Sequence, residues 1–229
     1  MLFNLFIFLI VVIIYIHLLF YFKTNNDFEI YSQNYLSKEK LEDITSLKQP
    51  LIFKYDINAK FGFLNIYNLI DKLKHNVLNI NECNDYYKEN KLNENLNISL
   101  DKFYKLVNEE NKYISEKNQN FLNETELIKI LKNNDSFFKP PMNLHSYYDI
   151  ILGNVNSTSL LKYSLYLKNY FIVLQGRIRV KLIAPKYSKN LYINSDYLNF
   201  EFISEINIWN VQDKYKKDYG KLDILEFEL

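Results

Sequence analysis

Few side chains in this sequence are of the types that bind metals or act as nucleophiles. The chain has three His and one Cys among 229 residues. His75 lies in an early helical stretch and His145 precedes the strand-rich part, and no carboxylate has a recognisable metal-ligand spacing to either. We interpret both as surface or core-edge residues. Cys83 has no intrachain disulfide partner, and we interpret it as a small apolar residue.

The charged residues give little reason to expect nucleic-acid binding. The 28 basic and 27 acidic residues leave a net charge of +1. Arg177, Arg179 and Lys181 form a basic stripe along one predicted strand, but a solvated strand face explains such a stripe without a partner. We therefore predict that nucleic acid is not a partner.

The strongest signal in the sequence is the apolar run over residues 1–22. It contains no Asp, Glu, Lys or Arg and ends at Lys23. At about 1.5 Å of rise per residue, a helix of this length crosses the roughly 30 Å hydrocarbon core of a bilayer. The alternatives are a buried core helix and a cleaved signal peptide, but the run has neither a basic start nor an Ala-x-Ala cleavage site. We predict a transmembrane anchor that contacts lipid.

The distribution of Lys predicts the orientation of this anchor. Lys23, Lys38, Lys40 and Lys48 follow the apolar run, whereas only the α-amino group precedes it. The positive-inside rule then places the rest of the chain in the cytoplasm. We predict a single-pass membrane protein with a stem over 23–35 and one domain over 36–229.

The first half of this domain has mainly helical patterns. Ser37 is the predicted N-cap of one helix, Ser99 of a second and Asn123 of a third. A loosely helical pattern also covers 63–78, and 82–95 is a charged, Asn-rich loop. The three capped helices are predicted at 38–47, 100–108 and 124–132.

The second half has strand patterns. In 177–183, Ile178, Val180 and Leu182 alternate with basic residues, which is typical of a strand with one wet face. Short helices followed by a run of strands predict the α+β class, with the β part a sandwich or barrel. Strands are predicted at 51–53, 76–81, 149–152, 170–174, 177–183, 200–202 and 222–229.

An ordered series of segments covers most of the domain. Together they resemble the cupin-like, JmjC-type family of iron and 2-oxoglutarate-dependent hydroxylases, and more closely the membrane-anchored cupin-like proteins of large DNA viruses. The resemblance implies short helices packed on a double-stranded β-helix. The segments are 36–44, 48–53, 98–103, 112–120, 149–153 with Ser157 and Thr158, 169–185, and Leu191 with Tyr192.

The resemblance also implies an iron site, whose ligands are not found. The family binds Fe(II) through two His and a carboxylate. Aligned on Gly176, the first two ligand positions fall on Tyr163 and Leu165; aligned on Ser157 and Thr158, they fall on Lys162 and Ser164. Neither alignment provides an imidazole or a carboxylate, so we predict no metal and no cofactor.

Three further positions bear on the implied cosubstrate site. Ile178 stands where the family commonly has the Lys that binds 2-oxoglutarate, so the charge that would pair with a carboxylate is lost. Thr158 and Asn169 are the surviving polar matches, and we interpret both as structural hydrogen-bonding groups.

The segment that carries the family's distal His would begin near Leu229. The β-helix is therefore expected to lack its last strands and to expose unpaired edges. We interpret the sequence as a fragment, or as a chain completed by a protein partner or a second copy.

These observations favour a membrane-anchored, non-catalytic cupin-like domain that acts as a binding or scaffolding module. The alternative is an oxygenase with unusual ligands. A third possibility is a pocket for a small apolar or sugar ligand, for which the sequence offers no convergent polar set.

Overall fold

The apolar N-terminal run forms one continuous helix, α1 (Leu2–Phe22), in the computed structural model. Its 21 residues include no buried side chain, so apolar surface faces outwards all around the helix. Within residues 2–27, 29–83, 85–87, 96–109, 112–141 and 143–229, which the structure describes, α1 is the one helix long and apolar enough to cross a membrane. The predicted loop over 82–95 lies largely outside these residues.

The rest of the chain is α+β, which confirms the predicted class at that level. The described ranges contain seven further α-helices, mostly short, and six of them end at or before Asn134. They are α2 (Lys38–Ser46), α3 (Ile57–Phe61), α4 (Ile66–Leu73), α5 (Leu100–Glu109), α6 (Gln119–Glu124), α7 (Leu127–Asn134) and α8 (Lys216–Tyr219).

Eleven described strands form four small sheets. The sheet orders are β1-β2, which is parallel, β4-β3-β5-β6, β7-β10-β9 and β11-β8, the last three antiparallel. The strands are β1 (Tyr31–Gln33), β2 (Leu51–Phe53), β3 (Val77–Glu82), β4 (Leu96–Ser99), β5 (Tyr113–Ser115), β6 (Leu152–Gly153), β7 (Lys162–Ser164), β8 (Arg179–Ile183), β9 (Ile193–Asp196), β10 (Glu201–Ser204) and β11 (Ile224–Glu228).

The stem after α1 is bonded to the domain instead of standing free. Its last part forms β1, which pairs with β2. Three consecutive polar side chains before β1 also hydrogen-bond to the domain. These pairs are Asn25 with the Leu47 carbonyl at 2.9 Å, Asn26 with the Lys186 N–H at 3.0 Å, and Asp27 with the Gln49 amide at 3.2 Å.

The main core lies between the four-stranded sheet and helices α3–α7. Leu78 and Ile80 point from β3 into this core, and Leu100 and Phe121 meet them from α5 and α6. A smaller cluster of Ile206, Ile208 and Tyr215 lies after β10. The two clusters therefore pack against different parts of the fold.

Several local predictions are confirmed. Ser37 caps α2, since its Oγ accepts the Lys40 N–H at 3.3 Å. Helix α5 begins at Leu100 as predicted. Strands β2, β3, β8, β10 and β11 lie within or overlap their predicted ranges.

The predicted helix over 124–132 is wrong at its start. Asn123, its predicted cap, lies inside α6, and α7 begins only at Leu127. Glu126 separates the two helices with a left-handed backbone, φ 59°. Burial of Phe121 and Leu122 explains the earlier helix, because tertiary packing outweighs a local capping signal.

The predicted strand over 170–174 is also wrong, since the described chain has no strand there. Ile172 and Leu174 pack against the main core, and the Tyr170 ring contacts the Phe138 ring. Because Ile172 and Leu174 are packed against the core, their apolar pattern does not require pairing with another strand. Two other predictions were too long: the helix over 63–78 is α4 alone, and the strand over 149–152 begins only at Leu152.

Adjacent residues of β3 offer a matched test of this core. Leu78 is fully buried, whereas Val77 is 45% exposed. Replacing Leu78 by Ala should lower the free energy of unfolding by about 2–5 kcal/mol, because it leaves a cavity in packed surroundings. The Val77→Ala change should cost under about 0.5 kcal/mol. Urea unfolding of the full chain in detergent measures both, and equal effects would contradict this packing.

Candidate functional site

The candidate iron-ligand positions, 162–165, lie on and just after β7. This strand pairs with β10, with Lys162 opposite Ile203, Tyr163 opposite Phe202 and Ser164 opposite Glu201. Because strand side chains alternate, Lys162 and Ser164 share one face of the sheet and Tyr163 lies on the other. The two alignments therefore selected opposite faces.

On the inner face, Lys162 lies between two carboxylates. Its Nζ is 3.0 Å from Oε2 of Glu116 and 3.2 Å from Oε1 of Glu201. The other oxygen of Glu201 is 2.9 Å from Nζ of Lys117. The Glu116 side chain is only 5% exposed and that of Lys162 24%, so this cluster is largely removed from water.

The cluster holds Lys162 in its charged form. Burial lowers the pKa of this ammonium, but the carboxylates of Glu116 and Glu201 outweigh burial and leave its pKa above the ordinary value. A Lys whose pKa is raised by folding stabilises the folded state at every pH below its unfolded-state pKa, which is about 10.4. The stabilisation that Lys162 provides is therefore complete at neutral pH. It is lost only as pH rises through the folded pKa.

Polar side chains behind the cluster fix its geometry. Asn118 is 2% exposed, and its Nδ2 donates to Ser115 Oγ and to the Ile150 carbonyl, both at 2.8 Å. Its Oδ1 accepts the Asn79 N–H at 2.9 Å. This side chain therefore ties β3, the end of β5 and the segment before β6 together.

Asp149 shapes the turn that carries Lys117 and Asn118. Its two carboxylate oxygens accept their backbone N–H groups at 2.8 and 2.7 Å, and Lys117 adopts a left-handed backbone, φ 61°. Burial raises the pKa of Asp149, although these N–H groups act in the opposite direction. The Asp149 carboxylate therefore stabilises the turn by accepting hydrogen bonds from its backbone N–H groups.

The residues present do not fit the iron site that the family resemblance implies. Lys162 is a protonated, ion-paired ammonium, and Tyr163 is 52% exposed on the opposite face. The Ser164 Oγ accepts the Tyr166 N–H, and Leu165 offers only backbone atoms. Over the described ranges, no three His, Cys, Asp or Glu residues lie close enough to hold a metal ion. No chemical step through iron follows from this arrangement.

The remaining predicted positions are dispersed. Ile178 is 38% exposed and pairs with Leu229 beside the β11-β8 sheet, through hydrogen bonds of 3.0 and 2.9 Å. The Thr158 N–H donates to Sγ of buried Cys83 at 3.2 Å. Asn169 is exposed, and its Nδ2 donates to the nearby Tyr166 carbonyl at 3.4 Å. The structure does not bring these residues together with Lys162.

A second arrangement, not predicted from the sequence, lies where α1 meets the domain. Nζ of Lys48 donates to the carbonyls of Phe20 and Tyr21 at 2.7 and 2.8 Å. It also lies 5.3 Å from the centre of the Phe20 ring. The last carbonyls of a helix have no partner within the helix, and a cation there also suits the helix dipole. Lys48 therefore caps the apolar helix from the domain side.

The local sequence explains how Lys48 reaches this point. Leu47 and Lys48 close α2 with N–H bonds to the carbonyls of Ile44 and Thr45, and Lys48 has a left-handed backbone, φ 56°. Such a conformation is unusual for a residue other than Gly and costs roughly 1 kcal/mol or more. The reversal directs the Lys48 side chain back across α2 to α1. Because α1 and Lys48 belong to separate segments of the chain, no local spacing marked this contact.

Two further contacts complete this arrangement, which we call the helix clasp and define as Phe20, Tyr21, Lys48 and Leu165. The Tyr21 hydroxyl donates to the Leu165 carbonyl at 2.6 Å. Beside the clasp is a shallow cleft of about 150 Å³, lined in part by Phe20, Pro140, Leu167 and Lys168. The clasp joins α1 to the segment that follows β7.

Comparison with known proteins adds no assignment. No protein-family model matches the chain, and no curated protein matches it. Function must therefore be argued from the ion-pair cluster and the helix clasp.

The buried position of Glu116 makes a prediction about Lys162. Replacing Lys162 by Met should lower the free energy of unfolding by about 3–5 kcal/mol, because it leaves a buried carboxylate without its cation. Adding Glu116→Gln should recover part of this loss. Chemical denaturation of the full chain and both variants in detergent measures the effect.

Lys129 supplies the control. Its ion pair with Glu126 has both side chains about two-thirds exposed, so Lys129→Met should change stability by under about 1 kcal/mol. If Lys162→Met were equally mild, the cluster would not be structural. Between pH 6 and roughly 9 the difference between wild type and Lys162→Met should stay constant, since Lys162 remains charged throughout.

Proposed function

We propose that this protein is a single-pass, membrane-anchored binding or scaffolding module without catalytic activity. The helix clasp carries the proposal: α1 is not a loose appendage, because the domain supplies the cation that caps its end and accepts a hydrogen bond from Tyr21. Such an arrangement holds a domain at a fixed place on a membrane. The Lys residues that follow α1 favour the cytoplasmic side.

The state of Lys162 supports a non-catalytic role. An active-site Lys that acts as a base or nucleophile needs a lowered pKa, whereas the pKa of Lys162 is raised by its two carboxylates. Polar groups around it are joined in a structural network. A largely buried, ion-paired cluster of this kind favours stability over turnover.

We also propose that the β-rich part is a reduced cupin-like barrel, on the resemblance of residues 36–229. Short sheets with free edges, such as the two-stranded β11-β8 pair, are compatible with a protein partner or a second copy adding a strand. An oxygenase activity has no specific observation in its favour.

The membrane anchor is tested at its centre. Leu9→Arg with Ile13→Arg should cost roughly 5–7 kcal/mol of insertion, at about 2.5–3.5 kcal/mol for each charge near the middle of a span. The wild-type chain should stay with membranes after alkaline carbonate extraction, and the double-Arg chain should be released. The matched control is Leu9→Val with Ile13→Val, which should be retained. Release of the wild-type chain would overturn the anchor.

The absence of catalysis is tested on the purified full chain in detergent. Titration with Fe(II) under anaerobic conditions should show no stoichiometric binding, and 2-oxoglutarate should not be consumed when iron and oxygen are supplied. Stoichiometric Fe(II) binding by the full chain would overturn the non-catalytic proposal and favour an oxygenase with unusual ligands.

A further inference from the structure

A group of exposed apolar side chains lies around the end of α1. We call it the juxtamembrane face and define it as Leu144, Tyr166, Leu167, Leu198 and Phe200. Four of its five members are strongly exposed: Leu144 101%, Leu198 92%, Phe200 53% and Leu167 47%. Such exposed apolar surface on one side of a domain needs an occupant.

Contacts place this face directly beside the helix clasp. The Leu165 carbonyl bonds Tyr21, and the Leu165 N–H donates to the Phe200 carbonyl at 2.8 Å. The Tyr166 ring lies 6.0 Å from the Phe200 ring and 6.2 Å from the His145 ring, next to Leu144. The chain around His145 and the chain around Phe200 are therefore connected to the end of α1 through Leu165 and Tyr166.

The tip that carries Leu198 is an ordered turn. Asp196 Oδ1 accepts the N–H groups of Leu198 and Asn199, both at 3.1 Å, and its Oδ2 accepts the Asn199 amide at 2.7 Å. With the backbone N–H groups bonded inside the turn, the apolar side chain of Leu198 is held outwards. Tyr197, 69% exposed, lies beside it.

Positive charge lies next to the apolar side chains. Lys23 follows α1 directly, Lys48 contacts its last carbonyls, and Lys168 donates to Thr45 Oγ1 at 2.7 Å beside the cleft at the clasp. Burial lowers the pKa of both Lys48 and Lys168. The charge of Lys23 lowers the pKa of Lys48 further, whereas the carboxylate of Glu42 partly offsets the effect of burial on Lys168. An anionic group close to these ammonium groups would relieve that cost.

We infer that the juxtamembrane face lies on the bilayer that α1 crosses, with the tips at Leu144 and Leu198 inserted among its lipids. This inference rests on the proposed membrane anchor. Three features of the face match a lipid interface: continuity with the end of the spanning helix, aromatic rings of the type enriched at the headgroup level, and Lys residues that suit anionic headgroups. The domain thus has a second, peripheral attachment to the same membrane.

The test measures the depth of each loop tip in a bilayer. The full chain is reconstituted into vesicles of phosphatidylcholine and phosphatidylserine that contain no other protein. Leu198→Cys or Leu144→Cys carries an environment-sensitive fluorophore, and the unmodified chain gives the background from Cys83, which is only 5% exposed. The matched control is Val155→Cys, 71% exposed in the turn after β6, where Asn154 bonds the Val107 carbonyl of α5.

At positions 198 and 144 we expect a blue-shifted emission that is quenched by lipids carrying a nitroxide and resists aqueous iodide. At position 155 we expect no blue shift, quenching by aqueous iodide, and no quenching by the nitroxide lipids. Iodide quenching at 198 and 144 equal to that at 155 would overturn the inference. Protection of both tips from both quenchers would also overturn it, because a second copy of the chain would then cover the face.

Flotation of the same vesicles separates this inference from the membrane anchor. If the labelled chains do not float with the vesicles, α1 does not anchor the protein and the proposed function fails. If they float while the tips remain open to iodide, the anchor stands and only the peripheral attachment fails.

Discussion

The ammonium of Lys162 holds together two parts of the domain that belong to separate sheets. One carboxylate partner, Glu116, lies directly after β5 of the four-stranded sheet, and the other, Glu201, lies on β10 of the three-stranded sheet. Separating the sheets would leave a buried charge without its partner, which costs free energy. The ion pairs therefore stabilise the position of the two sheets relative to each other. Both the segment that holds Tyr21 and the tip at Leu198 are carried by the β7-β10-β9 sheet, so they depend on this constraint.

Anchor and domain also constrain each other through the backbone. A left-handed residue at Lys48 costs energy locally, and the same reversal brings a cation to the open carbonyls of α1. The Tyr21 hydroxyl also bonds the Leu165 carbonyl. Three hydrogen bonds from two separate segments of the domain therefore hold the end of α1.

Sequence patterns predicted what depends on near neighbours. Hydropathy predicted α1, and the local cap at Ser37 predicted the start of α2. Prediction failed where distant packing decides: Ile172 and Leu174 satisfy their burial in the core without a strand. The ion pairs of Lys162 were missed for the same reason, because Glu116 and Glu201 are far from it along the chain and no local spacing marks them.

The stem sets how far the domain can lie from the end of α1. Eight free residues over 23–30 could extend about 27 Å, which would let the domain sweep a wide volume. Instead, Asn25, Asn26 and Asp27 are hydrogen-bonded to the domain, so the stem does not extend freely. If α1 anchors the chain as proposed, binding partners must be met at the bilayer surface, because the domain is held close to the end of α1.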